Sequence, residues 1–162
     1  MAKFLDGLAT TSLFMIFFGF PLFFLSLTLQ GIVFEKQIYF YFWLLFGLVG
    51  WVSKAIVTGE LRIRHTSLDI PLVLFWAVVG ISCFFSVDKW HSVWGFFGDP
   101  SRGFLSVTAL VCAYFFIVSH VNLQRFQLLL GATLLSGILV AVWTSFAFFG
   151  IRFLPEALLK YA

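Results

Sequence analysis

Charge is what this chain has least of. Only 10% of its 162 residues are Asp, Glu, Lys or Arg, where a soluble domain carries roughly a quarter. A surface built from so few charges could not keep a globule in water, which argues against a soluble enzyme or carrier. Cysteine is equally sparse. Cys83 and Cys112 both fall inside apolar runs, where they read as small core residues rather than a disulfide or a metal pair. His65, His91 and His120 stand in three separate connections, with no spacing that suits zinc. No Gly-rich phosphate loop with its lysine is present, and no Gly-x-Ser-x-Gly elbow. The chain therefore predicts no metal and no cofactor. Its net charge of +3 comes without a basic stripe or a stacking platform, so nucleic acid is not an expected partner either.

Apolar residues fill the space that charge leaves. They make up 62% of the chain, with 24 Phe and 6 Trp, and the mean hydropathy is +1.06. Uncharged runs cover residues 7–34, 37–53, 70–87, 103–124 and 126–151. About 20 residues at a rise of about 1.5 Å cross a bilayer core, with about 17 as a minimum. The expected fold is all-α, a polytopic transmembrane helix bundle of about five spans in one region. Those spans are placed at 8–33, 37–57, 70–87, 104–121 and 126–149, and the principal partner is membrane lipid. The second extends over the stem of Lys54, whose ammonium can snorkel to the interface.

Punctuation supports these limits. The stretch from Leu8 to Phe34 is too long for a signal-peptide core and ends in no clean cleavage site, so it reads as a retained span. Pro21 lies near its middle and predicts a kink. Asp69 before Ile70-Pro71 reads as an N-cap opening the third span, which Asp88 and Lys89 close. Pro155 opens a mixed apolar and charged tail that predicts a surface helix over 154–162. Tyr39, Tyr41, Trp43, Trp90 and Trp94 are placed as interfacial anchors.

Orientation is encoded in one cluster. Lys and Arg divide five against five between alternate connections, which decides nothing. Lys54, Arg62 and Arg64 beside His65 form the densest basic group, and short basic loops prefer the cytoplasm. The N-terminus is therefore placed inside, in a cytoplasmic membrane, and the 88–102 hairpin outside. Ala109 with Ala113, Ala132 with Ser136, Thr133 with Gly137, and Gly47 with Gly50 mark small-residue faces for packing against further helices.

The hairpin Ser92-Val93-Trp94-Gly95-Phe96-Phe97-Gly98-Asp99-Pro100-Ser101-Arg102-Gly103 concentrates the polar chemistry. Gly95 and Gly98 permit a tight, close-approaching backbone. Arg102 stands before the fourth span, where helix N–H groups lack partners. A guanidinium there suits a lipid-linked phosphate or diphosphate. It equally suits an ion pair with Asp99 that pins the loop. Both readings stand at this point.

The stretch from Asp69 to about Val118 resembles the N-terminal part of the O-antigen ligase and polymerase-like bacterial membrane proteins. The resemblance rests on Phe85-Ser86-Val87-Asp88, Ser92-Val93-Trp94-Gly95 and Arg102-Gly103, followed by another long span. It implies a glycosyltransferase of the cell-envelope polysaccharide kind, acting on polyprenyl-diphosphate-linked glycans at the outer side of the cytoplasmic membrane without metal. It also implies that the catalytic loop lies beyond this chain, which would make the chain the opening portion of a longer domain and inactive alone. Under that resemblance Arg102 is the diphosphate contact, while Trp94, Gly95, Asp99 and Gly103 support the loop. A catalytic residue is not identified. A piece of a transporter, with Pro21 or Thr144 and Ser145 at mid-membrane, and a small non-enzymatic membrane subunit remain the alternatives.

Overall fold

A computed structural model of the chain describes residues 2–23, 32–60, 64–96 and 99–148. The described residues are helical apart from their connections and one isolated bridge between Phe96 and Asp99. In order they form α1 (Ala2–Phe14), a π-helical turn (Met15–Gly19), α2 (Phe20–Leu22), α3 (Ile32–Thr58) and α4 (Asp69–Phe84). There follow α5 (Lys89–Trp94), a 3-10 turn (Pro100–Arg102), α6 (Phe104–His120) and α7 (Leu123–Phe148).

Among the described residues, three stretches are long and apolar enough to cross a membrane: Lys3–Leu22, Val33–Thr58 and Leu123–Phe146. Helices α4 and α6 are apolar but shorter, at 16 and 17 residues. They measure about 24 and 26 Å at about 1.5 Å per residue. Of the five expected spans, three thus reach membrane length.

Helix limits differ from those read off the uncharged runs, and for one reason. Charges taken as span ends lie inside helices where they find partners. Helix α1 begins at Ala2, ahead of residue 8, and carries Asp6, which pairs with Lys54 and Arg125. Helix α3 carries Glu35 and Lys36 in its opening turns, with Glu35 buried and the Lys36 ammonium 5.9 Å from the Phe20 ring centre. Helix α7 begins at Leu123 and so takes in Arg125. The expected surface helix over 154–162 lies outside the described residues.

Pro21 acts near a helix end rather than mid-span. The π-helical turn immediately precedes it, and the helix stops at Leu22. A proline in α register would meet the carbonyl four residues back, and the widened turn shifts that register. The Met15 carbonyl accepts a hydrogen bond from the Tyr39 hydroxyl at 3.0 Å. Tyr39 can approach because residue 19 is glycine, whose missing Cβ leaves room for the phenol.

Asp69 is not the N-cap of α4. Its carboxylate reaches back to the Thr66 N–H at 2.9 Å, and the Thr66 hydroxyl accepts from the Leu68 N–H at 3.3 Å. This resembles the exchange of a capping box, made in the turn ahead of α4, whose N-cap residue is Leu68. The Tyr114 hydroxyl also donates to Asp69, at 3.0 Å, tying the start of α4 to α6. Asp88 likewise does not close α4. It caps α5, accepting from the His91 N–H.

The core is small and sits where α1, α3, α6 and α7 meet. Ala9, Leu13, Leu44, Ala113, Phe116 and Leu129 form its buried cluster. Gly47 sets the α1–α3 distance, because a Cβ there would stand 2.7 Å from the Phe116 ring and against Ser12 Oγ. A Cβ at Gly50 would stand 3.3 Å from Leu8. The small-residue face of α3 is thus spent on α1. Gly137 on α7, by contrast, meets nothing within 4 Å. Helix α4 docks on α6 through the Trp76 indole, which donates to Thr108 Oγ1 at 3.0 Å and stacks on Phe104. Outer faces are apolar. Phe75, Val78, Leu134 and Ile138 are each more than half exposed, an arrangement suited to lipid and not to water.

Candidate functional site

The helices alternate in direction, so polar groups collect at two ends. One end carries the hairpin between α4 and α6, built on caps and glycines. Asp88 accepts from the His91 N–H at 3.1 Å and holds the His91 ring at 2.5 Å through Nδ1. The Ser92 hydroxyl donates to the Asp88 carbonyl at 2.7 Å. Trp90 and Trp94 lie ring against ring at 5.6 Å, both at least half exposed.

The chain then crosses itself. Gly95 has φ +86, and a Cβ there would stand 2.7 Å from the Pro100 Cα. A Cβ at Gly103 would stand 2.6 Å from both the Gly95 nitrogen and the Val93 carbonyl oxygen. Only glycine fits either position, the first for conformation and the second for space.

Asp99 caps the 3-10 turn, accepting from the Ser101 N–H and the Ser101 hydroxyl. It also meets Arg102 Nε at 3.2 Å. The Ser101 hydroxyl and the Arg102 charge hold the Asp99 carboxyl below its ordinary 3.8. The Arg102 side chain remains 75% exposed, since the pair uses one edge of the guanidinium. The turn is anchored from below by Ser106, which is buried and donates to the Pro100 carbonyl at 2.5 Å. Gln37 and Tyr41 of α3 meet the same hydroxyl at 3.2 and 2.6 Å.

Beneath this turn lies a cavity of about 570 Å³. Ser101, Ser106 and Gln37 stand at its polar end, and Phe17, Phe40 and Ile117 give apolar walls. The α6 residues along it run from Ser106 to Ile117, about 16 Å of helix at about 1.5 Å per residue. A mostly apolar slot, with Tyr114 and Thr133 in its walls and three polar side chains gathered under the turn, suits an amphiphile with a charged head.

A second cavity, of about 490 Å³, occupies the opposite end. The Asp6 carboxylate there is shared by Lys54 Nζ at 2.6 Å and Arg125 Nη2 at 2.9 Å. Arg125 Nη1 also donates to the His120 carbonyl, and Arg64 Nη1 to the Val121 carbonyl, each at 3.3 Å. Both arginines thereby serve the open carbonyl end of α6. The His120 ring packs edge-on to Trp51 at 5.7 Å.

Arg102, Trp94, Gly95, Asp99 and Gly103 are brought together in one turn, whereas Lys54, Arg64, His120 and Arg125 form a separate cluster. Ser106 and Gln37 carry no local signal, Tyr41 reads in the sequence only as an interfacial anchor, and Asp6 reads only as a charge ahead of the first uncharged run. His65 and His91 are not isolated, because each meets an aspartate, Asp69 at 3.5 Å and Asp88 at 2.5 Å. Thr144 and Ser145 donate to carbonyls of their own helix at 2.8 Å, which consumes their hydroxyl protons locally. Among the described residues no group of three or more His, Cys, Asp or Glu could hold a metal ion. No family model matches the chain, and no curated protein or solved structure shows a significant similarity to it.

Proposed function

We propose that the chain crosses the cytoplasmic membrane five times, with its N-terminus inside. On this reading it forms the opening membrane portion of a glycan ligase or polymerase that acts on polyprenyl-diphosphate-linked glycans at the outer face. Arg102 contacts the diphosphate, and the slot beneath it takes the first part of the carrier chain. The observation that carries this reading is an exposed arginine, Arg102, next in sequence to Ser101, which with Ser106 and Gln37 lines a mostly apolar slot of about 570 Å³.

The parts have distinct roles. Arg102 presents a planar donor fork to phosphate oxygens, a geometry lysine lacks. Asp99 orients it through Nε and leaves the outer edge of the fork available. Gly95 and Gly103 bring the strands of the hairpin together, so the turn is fixed before ligand arrives. Apolar walls on α3 and α6 solvate an isoprenoid better than water does. The chemical step falls to residues other than these. The five-span arrangement gathers Lys54, Arg64 and Arg125 at one end, in keeping with a cytoplasmic preference for basic residues.

The test is surface-glycan assembly in cells carrying variants of the gene. Arg102→Ala abolishes transfer at normal protein abundance, and Arg102→Lys restores part of it. Asp99→Ala keeps substantial transfer, with lower abundance from a looser hairpin. Normal transfer by Arg102→Ala would remove the residue from the site and the reading with it.

A further inference from the structure

The cavity at the N-terminal end of the bundle lies at the opposite membrane face from Arg102 and plays no part in the reading above. We propose that it is a binding site for a phosphate oxyanion, as carried by the headgroup of an anionic phospholipid in the adjoining leaflet. Its size, about 490 Å³, falls within the range of ligand pockets.

Charge points to an anion. Lys54, Arg64 and Arg125 line the cavity against the carboxylates of Asp6 and Glu60, leaving a formal surplus of one positive charge. Both Asp6 oxygens are already taken, one by Lys54 and one by Arg125. Donor capacity is left over. An ammonium has three N–H groups and a guanidinium five. Lys54 gives one to Asp6, while Arg125 spends one on Asp6 and one on the His120 carbonyl. Arg64 gives one to the Val121 carbonyl and is otherwise exposed.

A second observation is independent of the cations. Ser119 Oγ and His120 Nδ1 are buried polar atoms without a hydrogen-bond partner among the described residues, and both residues line this cavity. Buried polar atoms are nearly always paired, but neither atom is open to water as the side chains stand, so each would reach a ligand in the cavity only after a change of rotamer. Rotated towards the cavity, the Ser119 hydroxyl can donate to one phosphate oxygen and the His120 imidazole can present Nδ1–H to another.

Position completes the argument. The lining comes from the last turns of α3 and α6 and the first turns of α1 and α7, where helix ends meet headgroups. Basic pockets between membrane helices on the cytoplasmic side are suited to anionic headgroups. Pairing with Asp6 explains how Lys54 and Arg125 are held, and the α6 carbonyls explain how the arginines are turned. Neither accounts for the orphaned serine and histidine.

The experiment uses the purified chain in neutral detergent and reads the shift in unfolding temperature. Phosphatidylglycerol, phosphatidylcholine and inorganic phosphate are titrated separately. Phosphatidylglycerol should stabilise strongly and phosphatidylcholine little. Stabilisation by inorganic phosphate as well would identify free phosphate as an alternative source for the same site, and its absence would identify the lipid. Arg64→Gln, which alters an exposed side chain, should weaken the phosphatidylglycerol effect about fivefold, the worth of one cation near an anionic headgroup. Ser119→Ala should weaken it further. Equal stabilisation by the two lipids with none from phosphate would overturn the proposal. So would an unchanged response in Arg64→Gln. The comparison of headgroups on the wild-type chain decides the matter even if a variant does not fold.

Discussion

Arg125, in the first turn of α7, lies 2.9 Å from Asp6 in α1, a partner 119 positions away. Lys54 takes the other carboxylate oxygen at 2.6 Å. This three-way contact joins α1, α3 and α7 at a single point and sets the geometry of the basic cavity. Asp6→Asn leaves two cations facing each other without compensation. It should lower stability by about 1–3 kcal/mol, the range for losing a charged hydrogen-bond partner. A double-mutant cycle of Asp6→Asn with Arg125→Gln, read by denaturation in detergent, should show coupling of about 1 kcal/mol. Additive effects would mean the pair contributes nothing.

Two glycines in membrane helices should behave in opposite ways. Gly47→Ala places a methyl 2.7 Å from the Phe116 ring and against Ser12. Overpacking of that kind costs about 1–3 kcal/mol. Gly137→Ala meets nothing within 4 Å and should be neutral or stabilising by up to about 1 kcal/mol through helix propensity. Thermal unfolding of both variants in one detergent checks the contrast.

Acid should loosen the hairpin before the helices. The His91 backbone N–H and ring hold the Asp88 carboxyl below 3.8, and the Ser101 hydroxyl does the same for Asp99. A carboxyl lowered in the folded state contributes stability above its unfolded value, and that contribution is lost as pH falls through the folded value. Emission from Trp90 and Trp94 should therefore show an acid step below 3.8. Asp88→Asn should remove much of that step. An acid step of undiminished size in Asp88→Asn would contradict the assignment.

Topology can be read with single cysteines in a background lacking Cys83 and Cys112. His65, whose side chain is 90% exposed, and Val87, fully exposed, can be replaced without disturbing the packing. An impermeant maleimide added to intact cells should label Val87→Cys and spare His65→Cys. The reverse pattern would invert the bundle.

The helical class and the position of the polar hairpin were legible because lipid leaves an apolar face little choice of residue. Apolar runs from Ile70 to Phe84 and from Phe104 to Ile117 mark helices directly. Charges were misread as span ends. Asp6, Lys54 and Arg125 are separated by 48 and 119 positions, and no local pattern announces that they neutralise one another inside helices. Thr66-Ser67-Leu68-Asp69 did carry a local signature, that of a Thr-x-x-acid pair, which turns the Asp69 carboxylate back onto Thr66 instead of making Asp69 the cap. Arg102 stood out as a lone cation beside glycines. Ser106, a serine in an apolar run, gave no sign that it anchors the turn bearing Arg102.

The central claim is that the hairpin and its slot hold a polyprenyl diphosphate, and direct binding tests it best. A short-chain polyprenyl diphosphate titrated into the purified chain should compete with a fluorescent polyprenyl-phosphate probe. Arg102→Ala should weaken that competition by about tenfold or more, as expected for losing a charge-assisted contact of about 1.5–3 kcal/mol. Removing the diphosphate from the competitor should abolish it. Equal binding of polyprenyl alcohol and polyprenyl diphosphate, or unchanged affinity in Arg102→Ala, would contradict the account.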